Sequence, residues 1–358
     1  VEAPRIGTRH SLELPFQAGP VKLTAYGLGD ATYYGEDLTG NDLTRLYGQT
    51  GLRTSLPFWK VDPTVRSELF NVDGLAHKIS FDSDFYFADA TANLDQMPLF
   101  DALDDDSQEA FRRRFFFDTF AGVPGGNVPL KFDERFYAFR SNMQGSVTSS
   151  TWDLADDLMG LRLNVDQRWQ TKRGRPGEQR IIDWIVLDLG TTYFPRGDRD
   201  NFGQDFGLFD AKFRWHVGDR FTLLSDASAD FFGDGLRTVA LGAQMGRPEQ
   251  GNLYIGFRSI EGPLTANILS GSFSYRMSEK WLATAGGSVD FGPTGNIGQT
   301  ISFTRIGESF LLRFGLRADA SRGNVGAIFG IEPRFLNRSR RGQVGGVELP
   351  PPGSRGLE

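Results

Sequence analysis

Residues 209–217 read FDAKFRWHV. Phe209, Ala211, Phe213, Trp215 and Val217 form one set, and Asp210, Lys212, Arg214 and His216 form the other. A period of two describes a β-strand with one apolar and one polar face. Two environments produce such a strand. In a soluble sheet the apolar face meets a protein core and the polar face meets water. In an outer-membrane barrel the apolar face meets lipid and the polar face lines a lumen.

The same rhythm recurs along the chain. Arg45–Phe58 sets Leu46, Leu52, Leu56 and Phe58 against Tyr47, Gln49, Arg53 and Ser55. Leu75–Phe87 sets Ile79, Phe81, Phe85 and Phe87 against Lys78, Ser80, Asp82 and Asp84. Phe221–Phe231, Ser270–Ser278, Phe310–Ala320 and Gly323–Phe335 alternate likewise. Counting all such segments gives about sixteen. Several reach bilayer length, for which a tilted strand needs roughly 9–11 residues; globular strands cluster near about 5–6. Toward the C-terminus the connections shrink to pairs and triplets such as Gly218-Asp219, Gly233-Asp234-Gly235 and Ser278-Glu279. Turns this short join antiparallel neighbours. Long connections fall at 91–109, 121–130, 172–179 and 196–204. Aromatic residues sit near many strand ends, among them Phe58, Trp59, Tyr193, Phe194, Trp215 and Trp281, as in the interfacial girdles of membrane barrels.

These features predict an all-β, antiparallel, up-and-down transmembrane β-barrel of about sixteen or more strands, closed alone or as part of a larger barrel. The barrel occupies residues 1–336. Residues 337–358 hold NRSRR, GG and PPPG, lack periodicity, and read as a disordered tail.

Composition fits that reading. Of 358 residues, 39% are hydrophobic, with 44 Gly and 31 Phe, and no run approaches a spanning helix. Mean hydropathy is -0.33. Net charge is -6, which disfavours a nucleic-acid partner held by its phosphates. Cysteine is absent, so thiolate chemistry and disulfides within the chain are excluded. The start at Val1, without Met or a leader-like segment, reads as a processed or excised piece.

Catalytic motifs are wanting. His10, His77 and His216 have no metal-ligand spacing, and Ser11 beside His10 lacks an orienting third group. No enzyme activity, cofactor or metal is expected. The run Asp104-Asp105-Asp106 reads as a solvated charge cluster. The best helical stretch is Asp104–Phe115, acidic at its start and basic at its end. Asp210, Lys212, Arg214, His216, Arg276, Arg313 and Arg317 are assigned to the lumen by phase, the arginines pairing with Asp210, Asp226, Asp290 and Asp319. Pro15 and Pro57 stand in matching Leu-Pro-Phe contexts. Proline lacks a ladder donor, so they mark strand ends or a weakened seam. In the last strand, Asn324, Gly326, Phe329 and Ile331 follow a polar-x-Gly-x-x-aromatic-x-hydrophobic order. That order resembles the final strand of outer-membrane barrels and implies recognition by the barrel-insertion machinery.

Several stretches resemble the LptD family, the lipopolysaccharide-assembly outer-membrane proteins also called organic solvent tolerance proteins. They are SLELPFQAGPVKLTAYGLGDATYY (11–34), GLRTSLPFWKV (51–61), the segment 74–115 with its Pro98-Leu99-Phe100-Asp101 core, and the hairpins GNLYIGFRSIEGP and SYRMSEKWLATAGGSVDFG. The resemblance implies transport of lipopolysaccharide into the outer leaflet through a lateral seam between the terminal strands, with Pro15, Pro57 and the Phe329 strand beside it. It also implies membrane lipid around the barrel, an LptE-like lipoprotein plug, and a periplasmic lipopolysaccharide bridge docked by an N-terminal domain outside this sequence. The chain departs from the family in lacking cysteines, the jelly-roll domain and part of the strand count. The alternative reading is a diffusion porin or uptake channel of the outer membrane.

Overall fold

The computed structural model describes residues 4–37, 39–97, 131, 134–140, 155–175, 177–247, 249–262, 265–292, 295–320, 323–334, 343–344 and 347–348. Its strands are β1 (Arg5–Ala18), β2 (Val21–Tyr34), β3 (Leu43–Ser67), β4 (Val72–Ala90), β5 (Leu158–Arg173), β6 (Arg180–Tyr193), β7 (Phe209–His216) and β8 (Phe221–Ala229). They continue as β9 (Arg237–Arg247), β10 (Gly251–Glu261), β11 (Ala266–Arg276), β12 (Trp281–Asp290), β13 (Asn296–Ile306), β14 (Phe310–Asp319) and β15 (Asn324–Pro333). All fifteen belong to one sheet in sequence order. Every neighbouring pair is antiparallel, from Arg5 opposite Tyr34 to Asp319 opposite Asn324. The chain is thus an up-and-down meander. An odd count leaves β1 and β15 running in the same direction, and no ladder joins them among the described residues.

The sheet curls. A seven-residue helix, α1 (Glu134–Arg140), lies in the long β4–β5 connection. Its Phe139 clusters with Tyr26 of β2 and Tyr86 of β4. Its next residue, Arg140, is bonded to Asp230, just past β8. In a flat sheet β2 and β8 would lie about 29 Å apart at ~4.8 Å per strand, whereas seven helical residues span only ~10 Å. One short helix reaches both because the wall bends round it.

The two faces differ as the alternation requires. On the convex face Leu241 (53% exposed), Ile255 (50%) and Leu316 (59%) stand open, with Phe273, Ile301 and Phe314 among them. An apolar band this continuous does not face water in a soluble monomer; it is the surface a barrel presents to lipid. On the concave face hydroxyls pair across the strands, as in Ser270 with Ser288 (2.9 Å) and Thr284 with Ser302 (2.6 Å). No helix among the described residues is long and apolar enough to cross a membrane.

Connections after even-numbered strands gather at one rim and include the long ones; those after odd-numbered strands form a rim of mostly short turns. At the short-turn rim β3 and β4 run on past the others. β3 loses its β2 partner after Ser55, opposite Lys22, while its pairing with β4 continues to Ser67.

Three expectations change. Pro15 and Pro57 lie inside strands rather than at their ends, opposite Thr24 and Ser80. Both positions tolerate a missing donor, because β1 is an edge strand and β3 has no β2 neighbour beyond Ser55. Pro57 is accordingly far from the terminal strands in sheet order, so it is no part of a seam between them. In the tail expected to lack structure, β16 (Gln343–Val344) pairs with β17 (Val347–Glu348). Asp104–Phe115, with the acidic run and the Pro98–Asp101 core, lies outside the described residues.

The faces make an asymmetric prediction for β7. Phe213→Arg places a charge on the lipid side and should destabilise the folded protein by roughly 2–4 kcal/mol, whereas Lys212→Gln should leave stability within about 0.5 kcal/mol. Equal denaturation midpoints in lipid vesicles for the two variants would refute the assignment of faces.

Candidate functional site

The concave face carries a tyrosine floor. Gly51 of β3 lies opposite Tyr26 on one side and Tyr86 on the other, and Tyr86 in turn faces Gly160 of β5. A Cβ on Gly51 would come within 2.6 Å of the Tyr26 ring, and one on Gly160 within 2.7 Å of the Tyr86 hydroxyl. Glycine therefore lets both rings lie along the wall. Tyr26 Oη donates to Asp84 Oδ1 (2.8 Å) and accepts from Gln49 Nε2 (3.0 Å). The Arg53 guanidinium lies 4.5 Å from the Tyr26 ring centre, and that of Arg162 lies 4.9 Å from the Tyr86 ring centre. Cations over ring faces fix both tyrosines.

α1 rests on this floor. Ala138 and Phe139 are buried with Leu94 and Leu158. Its C-terminal end is clasped by the β8–β9 connection. Arg140 Nη1 donates to Asp230 Oδ2 at 2.6 Å, with both side chains 2% exposed. Arg140 Nη2 donates to the carbonyl of Lys131 (2.7 Å). Lys131 Nζ itself reaches Asp234 Oδ1 (2.7 Å). The Phe232 ring lies between the two cations, 5.0 Å from Lys131 Nζ and 4.9 Å from the Arg140 guanidinium. The carbonyl of Arg140 accepts the Leu208 amide (2.9 Å). A side chain on Gly207 would collide with that carbonyl at 2.6 Å. Phe136 of α1 packs edge-on against Phe202 (5.2 Å), whose φ of 52° is left-handed. A bulky residue held there turns its ring toward the helix. The result is a helix pinned inside the curled sheet by a buried ion pair, a second cation and an aromatic clasp.

Farther down the wall, charges fall into rows because antiparallel register sets like-phase residues side by side. One row runs Ser80, Asp166, Asp188, Lys212, Asp226. The row below it runs Trp59, Lys78, Arg168, Val186, Arg214. An acid-rich band thus adjoins a cationic one.

Asp210, Lys212, Arg214 and His216 occupy one face of β7, within these rows or beside them. His216 Nδ1 lies 2.9 Å from Thr222 Oγ1. Arg276, Arg313 and Arg317 share the concave phase of β11 and β14, but their cross-strand neighbours are not the acids expected. Arg276 faces Leu282, Arg313 faces Thr304 and Gly330, and Arg317 faces Thr300 and Gly326. Asp226 lies opposite Lys212, Asp319 lies opposite Asn324, and Asp290 accepts the backbone amides of Asn267 and Gly292. Phe329 and Ile331 stand exposed on the convex side of β15, opposite Phe314 and Leu312. His77 is on the convex side, stacked on Trp169 at 4.5 Å.

Sequence reading missed Lys131, Arg140, Asp230, Phe232 and Asp234. One signal was present: in Glu134–Arg140, Phe136 precedes Phe139 and Arg140 by three and four residues, the spacing of a helix face. It also missed an apolar contact at the opposite rim. Leu282, Ile306 and Leu311 break the polar pattern of the concave face, and Val347 of β17 is buried against them.

No family model matches the chain, and no curated protein matches it. Among solved structures it is similar to engineered variants of the porin of Rhodopseudomonas blastica. One is 12% identical with a TM-score of 0.34, covering 91% of this chain and 89% of that one. Another is 11% identical with a TM-score of 0.32, covering 87% and 98%.

Arg140→Ala leaves Asp230 buried without its partner and should cost about 3–5 kcal/mol; adding Asp230→Asn should recover part of that loss in the same unfolding assay. Asp156, in the segment leading into β5, has its carboxyl pushed up to about 6 by burial. A raised carboxyl favours the folded state while protonated, so its stabilising contribution is present below about pH 4 and lost as pH rises through 6. The free energy of unfolding should therefore fall between pH 4 and 7, and Asp156→Asn should flatten that fall.

Proposed function

We propose that the chain is an outer-membrane β-barrel channel for small hydrophilic solutes, with its passage narrowed from within. The observation that carries this reading is the inward-held α1, whose buried Arg140–Asp230 bond fixes a constriction against a polar, charge-banded wall. A polar interior behind an apolar exterior suits aqueous passage across lipid. Acidic and cationic rows two residues apart along the same strands meet a passing solute as successive bands of opposite charge, which sort solutes by charge. At the other rim the β16–β17 hairpin narrows the opening further, because Val347 covers Leu282, Ile306 and Leu311.

The test is single-channel recording in planar bilayers. The intact chain should give small, steady conductance steps. A chain ending at Arg334, lacking the hairpin, should give larger ones, and Arg140→Ala should give larger and noisier ones. Absence of steps from all three, with heat-modifiable gel mobility intact, would overturn the channel reading.

The lack of a ladder between β1 and β15 among the described residues favours a second reading, lateral passage of lipopolysaccharide as the LptD resemblance implies. Photocrosslinkers at Phe329 should then capture lipopolysaccharide in cells more strongly than the same groups at Ile255, in the middle of the wall. Equal capture at both positions would remove it.

A further inference from the structure

Where β3 outruns β2, the wall carries a recess that the clasp does not use. At the short-turn side, Pro57 and Trp59 of β3, Lys78 and Asp82 of β4, and Asp166 and Arg168 of β5 surround a recess of about 320 Å³. Lys78 lies directly between Trp59 and Arg168 in the ladder. Like charges set opposite each other on neighbouring strands repel. Lys78 has no carboxylate within ion-pair distance among the described residues, and Arg168 has only Asp183 at 3.9 Å. Trp59 is 72% exposed on the phase that elsewhere carries Tyr47 and Gln49, so a large aromatic face stands bare on a polar wall.

We infer that this recess binds an anionic sugar, a saccharide ring bearing a carboxylate or phosphate. The inference rests on the channel reading for access to the recess from the interior, and it names the class of solute bound there. Each part of the ligand has a counterpart. The anionic group sits between Lys78 and Arg168 and relieves their repulsion, Arg168 offering the fork that matches two oxygens. The apolar face of the ring lies on Trp59, which combines a broad apolar surface with attraction for ring C–H bonds. Hydroxyls on the ring edge donate to Asp82 and Asp166. Those carboxylates set a sugar apart from a simple anion: they repel a bare phosphate and reward a ligand with hydroxyl donors beside its charge.

The test is equilibrium binding to the full chain in detergent, followed by tryptophan fluorescence and calorimetry, so it does not depend on conduction. The probes are glucuronate, glucose 6-phosphate, glucose and inorganic phosphate. Glucuronate or glucose 6-phosphate should quench fluorescence saturably, and comparing the two shows which anion is preferred. Glucose and inorganic phosphate should each bind at least tenfold more weakly. Lys78→Gln and Arg168→Gln should each weaken the charged sugars about tenfold while leaving the weak affinity for glucose unchanged. Trp59→Phe should remove most of the quenching, and Trp59→Ala should weaken binding by calorimetry. All these side chains are exposed or half-buried, so heat-modifiable mobility should survive as the folding check. Phosphate binding as tightly as glucose 6-phosphate, or unchanged affinity in the Lys78→Gln/Arg168→Gln double variant, would overturn the inference. Conduction without binding sinks this site alone, and binding without conduction sinks the channel reading alone.

Discussion

The structure depends on one constraint: backbone N–H and C=O groups surrounded by lipid must find partners within the protein. A meander answers it with the fewest decisions. Each strand pairs with the strand before and the strand after it, and short turns hold the register. Once the ladders exist, side chains of one parity point outward and the others inward, and the composition of each face follows from its solvent. Glycine serves the same economy at Gly51 and Gly160, where an absent side chain lets a tyrosine ring lie flat on the inner wall.

The curled wall creates a second problem, an interior too polar to collapse by hydrophobic burial. The β4–β5 connection addresses it locally. It brings a small apolar cluster onto the tyrosine floor and anchors it with Arg140 and Lys131 on Asp230 and Asp234. A buried ion pair contributes little net stability compared with apolar packing, yet removing one partner is costly. Its value here is placement: the guanidinium holds α1 at one position against the wall. At the opposite rim, packing does comparable work through Val347 and three apolar residues that interrupt the polar pattern.

Much of the fold was legible because period-two alternation is a local property with a single structural meaning. FDAKFRWHV predicted a strand, and β7 spans Phe209–His216. The short turns predicted antiparallel neighbours, and the ladders follow sequence order. The prolines misled for a physical reason. Pro15 and Pro57 occur inside strands because β1 is an edge and β3 outruns β2, facts about neighbours that no local window contains. The expected arginine–aspartate pairs misled likewise, since register sets Arg313 and Arg317 opposite threonines and glycines while Asp226 faces Lys212.

By itself, then, the sequence determined the strands, their antiparallel order and which side chains share a face, because each follows from residues a few positions apart. The tertiary structure alone decided what meets inside. Arg140 and Asp230 are ninety positions apart, and Trp59 and Arg168 farther still, and nothing in either neighbourhood marks its partner. They come together because the sheet bends and its register sets distant strands in line. Chain closure over such separations is a property of the whole ladder: the clasp forms only once the wall has curled, and the recess once register sets β3, β4 and β5 side by side.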